Sequence, residues 1–330
     1  MENEGRFDPE LKEVVEEGNA RTSKILNMIN QYRDPDEGAM ALKKALLKFE
    51  YSNCTTHVQS SDMIPEQVTI PRSNSGGYIK LNIYRRGNSQ LPCVYNIHGG
   101  GMIVGNIYNN TTQLSHLSKI LEAVVVDVDY RLAPENPYPA GVNDCYEGLV
   151  WIFENAHDFN IDSTRIGLFG ESAGGGLAAA TALKSRDNGG PDILFQTLVA
   201  PMLDDRNITP SSNMCSGIWP SWPREMNVLA WRALLGSSVG IQMVSPYAAP
   251  SRAENLGKLP PAYIEVGGME VFRDEAISYA RKLMEHNVPV ELHVYPGVFH
   301  SWYSHVPEAL ISKRAIRNRI EWIKNQLEKK

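Results

Sequence analysis

The stretch Arg165-Ile166-Gly167-Leu168-Phe169-Gly170-Glu171-Ser172-Ala173-Gly174-Gly175-Gly176, followed by Leu177-Ala178-Ala179-Ala180-Thr181-Ala182-Leu183, decides the fold. A short apolar run ends in Gly-x-Ser-x-Gly and an alanine-rich helix former begins at once, which predicts strand, tight turn and helix. A serine at such a turn sits in a strained backbone conformation with its hydroxyl exposed, so its neighbours at i−2 and i+2 must be small. Gly170 and Gly174 meet that need. The turn places Ser172 at a helix N-terminus, where unpaired N–H groups and the helix dipole favour developing negative charge. A glycine-rich turn with an incidental serine has the same local pattern. The rest of the chain must therefore supply a base, an acid and an oxyanion site.

Working outward, the hydrophobic period is two at Gln67–Pro71 and Gly77–Arg85, with turn chemistry between them, which predicts a hairpin. Residues 92–97 and 123–129 are apolar on both faces, as in strands covered by helices on each side. Residues 111–122 suit the crossover helix between them. Helix at 144–155, strand at 165–169, helix at 177–185, strand at 194–200, strand at 262–266, helix at 274–286, strand at 290–295 and a terminal helix at 307–328 continue the alternation. Eight strand candidates give an α/β fold with one mostly parallel sheet and helices on both faces. Residues 8–50 carry apolar positions at helical spacing, interrupted at 34–38, and read as a helical arm. Residues 203–240 break the rhythm with an aromatic-rich insertion. The expected organisation is an arm at 1–55 contributing to a cap, and a catalytic domain at 56–330 with its cap insertion at about 203–240.

Loops at the carboxyl ends of parallel strands converge on one crevice. His98-Gly99-Gly100-Gly101 follows the strand ending at Ile97, so it should face Ser172. Its glycines let several backbone N–H groups point at one spot, which reads as an oxyanion hole of Gly100, Gly101 and Ala173. A phosphate-cradling loop is the competing reading, but no Gly-Lys-Ser or Gly-x-Gly-x-x-Gly pattern accompanies it. Of the eight histidines, His300 alone stands on a loop just past the last strand candidate, the position a base needs. The acid must come from Glu270, Asp274 or Glu275, after the strand ending at Val266. Asp274 and Glu275 fall where a helix begins; Glu270 is nearest the strand end. Ser172, Glu270 and His300 then follow the order serine, acid, histidine.

The chain has 330 residues, a hydrophobic content of 42% and a net charge of −6, enough for a large core. No block of lysine or arginine exceeds two residues, which argues against nucleic acid. Cys54, Cys93, Cys145 and Cys215 are widely spaced and read as free thiols. The acidic, polar N-terminus lacks a signal pattern and no apolar run is long enough to span a bilayer, so the expected location is cytoplasmic.

With these residues in hand, the chain resembles the hormone-sensitive-lipase-like branch of the α/β-hydrolases from about residue 90 to the C-terminus. The resemblance is carried by His98–Gly101, Asp129-Tyr130-Arg131-Leu132-Ala133-Pro134-Glu135, Gly170–Gly175, Phe272-Arg273-Asp274-Glu275 and Pro296-Gly297-Val298-Phe299-His300. It implies a serine carboxylesterase acting on small-molecule esters with short to medium acyl chains, with no cofactor and no metal ion. It implies a helical cap and allows a homodimer. It assigns the second and third glycines of the loop and the residue after the serine to the oxyanion hole. Two positions depart from the branch's usual pattern. Glu171 stands where aspartate is usual in the elbow, and alignment on Phe272–Glu275 puts Glu270 where the acid is usually aspartate. Asp274 remains the competing acid. Lactonase and amidase activities share the catalytic set, and a non-catalytic receptor on this fold would lack the histidine. Trp219, Trp222, Met226 and Trp231 in the insertion are read as the wall of a substrate pocket, and Tyr130, Arg131 and Asp144 as holding the sheet edge and the active-site loops.

Overall fold

Runs that are apolar on both faces are stable in a sheet only where helices cover both sides. In the computed structural model, β3 (Leu91–Ile97) and β4 (Val124–Asp129) meet this condition, lying side by side and parallel in the middle of a sheet. The structure describes residues 6–53, 63–73 and 76–329. Cys54, His57, the boundary expected at residues 55–56, the centre of the turn at 74–75 and the N-terminal residues 1–5 lie outside the described residues.

The other strands are β1 (Glu66–Pro71), β2 (Tyr78–Tyr84), β5 (Ile161–Glu171), β6 (Gln196–Val199), β7 (Ala262–Gly267) and β8 (Val290–Tyr295), with α3 (Thr111–Leu121) between β3 and β4 and α8 (Arg273–Glu285) between β7 and β8. The eight-stranded sheet has the order β1-β2-β4-β3-β5-β6-β7-β8. The β1–β2 hairpin is antiparallel and joins β4 antiparallel, while every pairing from β4 to β8 is parallel. After β4 the chain turns back past β3 to form β5, so the order reverses between β3 and β5. Register brings Ile97 opposite Gly170 at the carboxyl ends of these two strands. Crevices outside a sheet form at such reversals, because the connections on either side leave in opposite directions.

Several boundaries differ from the expectation, each for a physical reason. β5 extends through Glu171, and α5 (Ala173–Asp187) begins immediately after Ser172. The triple glycine at 174–176 precedes the expected helix start at 177, yet it lies in the first turn of this helix, because the helix presses against its neighbours. A Cβ on Gly174 would lie 2.0 Å from the Ile97 carbonyl oxygen, and one on Gly176 would lie 2.1 Å from that of Met202. The final helix, α10 (Leu310–Leu327), starts later than Pro307; a one-turn helix, α9 (Trp302–His305), comes first. Pro307 disfavours helical backbone at Val306 and separates the two.

The arm forms α1 (Lys12–Ile29) and α2 (Pro35–Asn53). The break between them is short because Asp34 Oδ1 accepts the Asp36 N–H at 2.7 Å and Pro35 opens α2. The 203–240 insertion contains α6 (Pro210–Met214) and α7 (Arg224–Leu235). The arm lies on this insertion. Gly18 of α1 meets Pro220, with 3.1 Å from an added Cβ to the proline Cβ, and Arg232 of α7 donates to Asp36 at 2.7 Å.

The far side of the β4 end is tied by Asp144 on α4 (Ala140–Glu154). Its buried carboxylate accepts from Arg72 Nε at 2.9 Å and from Arg131 N, Nε and Nη2 at 2.8–2.9 Å. This agrees with the reading of Arg131 and Asp144 as fasteners. Removing one member of a buried pair leaves the partners' charge without compensation, a loss of about 3–5 kcal/mol. Asp144→Ala is therefore expected to lower the unfolding free energy by about 3 kcal/mol, measured by urea denaturation at unchanged m-value.

Candidate active site

Ser172 has φ 57° and ψ −121°, a region that non-glycine residues rarely enter. The conformation is held from both sides. Ser172 N–H donates to the Val199 carbonyl at 2.8 Å, and the Ser172 carbonyl accepts from Met202 N at 3.0 Å and Gly176 N at 3.1 Å. Gly170 and Gly174 pack so closely that a Cβ on Gly170 would sit 2.1 Å from the Gly174 carbonyl oxygen. The result presents Ser172 Oγ above the carboxyl end of β5.

His300 arrives from the loop after β8. Its Nε2 accepts the Ser172 hydroxyl at 2.9 Å, and its Nδ1 faces Glu270 Oε1 at 3.4 Å, the long end of the range common in unliganded sites. The Phe272 ring meets the imidazole edge-on at 5.1 Å and restricts its rotation. Glu270 is fully buried, and its Oε2 accepts the Gly267 N–H at 3.0 Å, which leaves Oε1 for the histidine. Asp274 is engaged elsewhere: Oδ2 accepts the Ser211 N–H at 2.6 Å and Oδ1 accepts from Arg273 Nε at 2.7 Å. Glu275 accepts from Leu203 N at 2.7 Å and Asp204 N at 3.2 Å. Burial holds its carboxyl well above the usual range, with Asp204 adding to the shift. Of the three local carboxylates, Glu270 is the one that meets His300.

The glycine loop lies opposite. Tyr130 Oη donates to the His98 carbonyl at 2.9 Å and its ring stacks on the His98 imidazole at 4.2 Å. His98 Nδ1 donates to the Gly99 carbonyl at 2.8 Å, and burial pushes its pKa down to about 4, so the ring is neutral. Gly100 has φ 114°, and a Cβ there would lie 2.2 Å from the Val104 carbonyl oxygen. Among the described residues, the amide N–H groups of Gly100, Gly101 and Ala173 donate to no protein acceptor. Gly100 and Gly101 border the same cavity as Ser172, and Ala173 follows Ser172 as the first residue of α5.

That cavity, of about 240 Å³, is bounded by Ser172, His300 and the glycine loop below, and by Arg21, Ile25 and Trp222 from the arm and insertion. Of the residues read as a pocket wall, Met226 and Trp222 border it, Trp222 lying against Gly101 with its Nε1 donating to Asn227 at 3.1 Å. Trp219 and Trp231 do not. Trp219 is buried with its Nε1 on the Met269 carbonyl at 3.0 Å and its ring 5.5 Å from Phe7, and Trp231 is fully buried in the core under α7. An aromatic in a cap has apolar neighbours on every side, and composition alone does not say which side is empty. Sequence reasoning missed Arg21 and Ile25. It also missed Ser301, whose Oγ donates to Glu171 Oε1 at 2.7 Å and ties the elbow to the histidine loop.

A serine hydroxyl bonded to an imidazole, backed by a buried carboxylate and flanked by free N–H donors, is an arrangement suited to nucleophilic acyl transfer. A profile of the alpha/beta hydrolase fold matches residues 94–304, the span that holds all of these groups. The chain belongs to that family. Within the alpha/beta hydrolases its motifs place it in the hormone-sensitive-lipase-like branch. Esterase LipI of Mycobacterium tuberculosis is 37% identical over 219 residues, covering 65% of this chain and 66% of the relative. Carboxylesterase NlhH of the same species is 36% identical over 215 residues, 64% and 66% of the two chains. The match thus spans just under two thirds of these relatives' length. A solved bacterial heroin esterase superposes over 98% of this chain and 99% of its own, with a TM-score of 0.85 and 33% identity. Among the described residues, no helix is long and apolar enough to cross a membrane, and no cluster of three potential metal ligands is present.

Gly100 tests how tightly the loop is built. Gly100→Ala introduces an overlap with a backbone carbonyl at a positive φ, and is expected to lower stability by at least about 2 kcal/mol. Thermal unfolding of the two proteins side by side checks this.

Proposed function

We propose that the protein is a serine carboxylesterase that hydrolyses small-molecule esters with short to medium acyl chains through an acyl-enzyme. The observation that carries the reading is the 2.9 Å contact between Ser172 Oγ and His300 Nε2 on a strained strand-to-helix turn. The names of the esterase relatives support the substrate class.

In the proposed mechanism His300 takes the proton from Ser172 as Oγ attacks the ester carbonyl. Glu270 holds the imidazole in the tautomer with a proton on Nδ1 and stabilises the cation that forms. The carbonyl oxygen becomes an oxyanion held by the N–H groups of Gly100, Gly101 and Ala173; one such donor contributes about 2.7–4 kcal/mol in other enzymes. His300 returns the proton to the leaving alcohol, then activates water to release the acid. Every bond made or broken uses these groups, so the proposal includes no cofactor.

The arm and the 203–240 insertion are proposed as the cap, because both border the cavity over Ser172. A cytoplasmic location is supported by the free, buried state of Cys93, Cys145 and Cys215, which suits a reducing compartment. A homodimer is proposed from the resemblance to the branch; its mass in solution by sedimentation tests it.

On a p-nitrophenyl ester series from acetate upward, the wild type is expected to favour short chains and Ser172→Ala to lose about 10⁴-fold or more. Folded protein with no turnover of any ester in the series would sink the esterase reading. Glu270→Gln is expected to cost about 10³–10⁴ in kcat, whereas Asp274→Asn stays within about tenfold; the reverse ranking would reassign the acid. Trp222→Ala should move the chain-length optimum upward by opening the wall over Gly101. An unchanged optimum would leave Trp222 with a packing role alone.

A further inference from the structure

The cavity over Ser172 has one charged residue whose partner is missing. Arg21 stands on the face of α1 that also carries Gly18 and Ile25, three and four residues away and therefore on the same side of the helix. Gly18 packs on Pro220 and Ile25 borders the cavity, so this face is the one turned toward the insertion and the site. Arg21 borders the cavity as well, and among the described residues it makes no hydrogen bond or ion pair. Its carboxylate neighbour along the helix, Glu17, is exposed and acts on it only through space.

The other charged groups nearby do not fill the role. Glu171 belongs to the elbow, and its Oε1 is taken by Ser301 Oγ at 2.7 Å. His305 is neutral: burial, with Arg21 and His300 adding to it, pushes its pKa down to about 4. A guanidinium has five N–H donors in a rigid fork that fits a carboxylate. Holding it half-buried at a small cavity without an acceptor costs free energy, which burial registers as a lowered pKa. The cost is recovered when a ligand brings the acceptor.

We propose that Arg21 determines specificity by pairing with a carboxylate on the substrate, so that the preferred esters carry an anionic group on the acyl or the alcohol side. The assignment rests on the esterase reading above. A carboxylate is favoured over a phosphate monoester because a single guanidinium lines the cavity and the Glu171 carboxylate, which lines it too, repels a second negative charge.

The test uses the full chain as wild type, Arg21→Met and Arg21→Lys, with two substrate pairs. The first pair is 4-acetoxybenzoate and its methyl ester, with the charge on the alcohol side; the second is monoethyl adipate and diethyl adipate, with the charge on the acyl side. The readout is the ratio of kcat/KM for the anionic member to that for the neutral member. In at least one pair that ratio is expected to fall about tenfold in Arg21→Met and to recover in part in Arg21→Lys. A structural role would change both members alike, so unchanged ratios in both pairs would overturn the proposal. A second arm needs no turnover. Adipate and benzoate are titrated calorimetrically into Ser172→Ala with and without Arg21→Met, at low salt to limit screening. Binding weakened about tenfold supports the assignment, and equal binding overturns it. If no ester is hydrolysed by the wild type, the esterase reading fails separately and the binding arm still decides the role of Arg21.

Discussion

The site depends on one backbone torsion, the φ of 57° at Ser172. A residue with a Cβ held there costs on the order of 1–3 kcal/mol, and the conformation persists only where its surroundings leave no alternative. Here the surroundings are the sheet itself. The Ser172 N–H continues the ladder onto β6 at Val199, and its carbonyl is fixed by Met202 and by the first turn of α5. Relaxing the torsion would break these bonds and drive the glycines at 170 and 174 apart. The strain is therefore offset by hydrogen bonds to buried backbone at Val199, Met202 and Gly176.

The remaining groups reach that spot through topology. Strand order reverses between β3 and β5, so the loop after Ile97 and the elbow after Glu171 leave the sheet side by side. Glu270 and His300 follow β7 and β8, which pair through Gly267 and Tyr295 at their carboxyl ends. Each group is thus within a few residues of a strand end, and positional error accumulates over a few bonds only. The carboxylate of Glu270 is held by the Gly267 N–H, which donates to its Oε2. That bond turns the carboxylate so that its other oxygen meets the imidazole.

Much of this was legible in the sequence because it rests on periodicity and on residues with one narrow use. Runs without polar alternation announced β3 and β4, and the glycine–serine elbow announced the β5–α5 turn. Where glycine has two uses, reading failed. At 174–176 it permits close helix packing, but in sequence it looks like part of the turn, so the pattern predicts a helix only from Leu177. The tryptophans failed for the opposite reason: their chemistry suits a pocket wall and a core equally, and only the three-dimensional arrangement separates Trp222 from Trp219 and Trp231. Between Glu270 and Asp274 the sequence ranked by distance from the strand end. The structure adds that Asp274 is occupied by Ser211 and Arg273.

Arg21 left a signal that periodicity contains but did not yield. It lies on the stripe formed by Val14, Gly18 and Ile25, where a charge interrupts an apolar face. On an isolated amphipathic helix such a residue marks the edge of the stripe, turned to water. Once α1 lies across the insertion, the stripe faces a cavity and the charge is enclosed with it. The elements that set the chemistry and those that set the shape and charge of the cavity are therefore separate pieces of the chain. The sheet fixes serine, histidine and acid; the arm, packed through Gly18 on Pro220, supplies the roof and its cation. The backbone bonds of the strained turn run to Val199, Met202 and Gly176, and none of them passes through the arm.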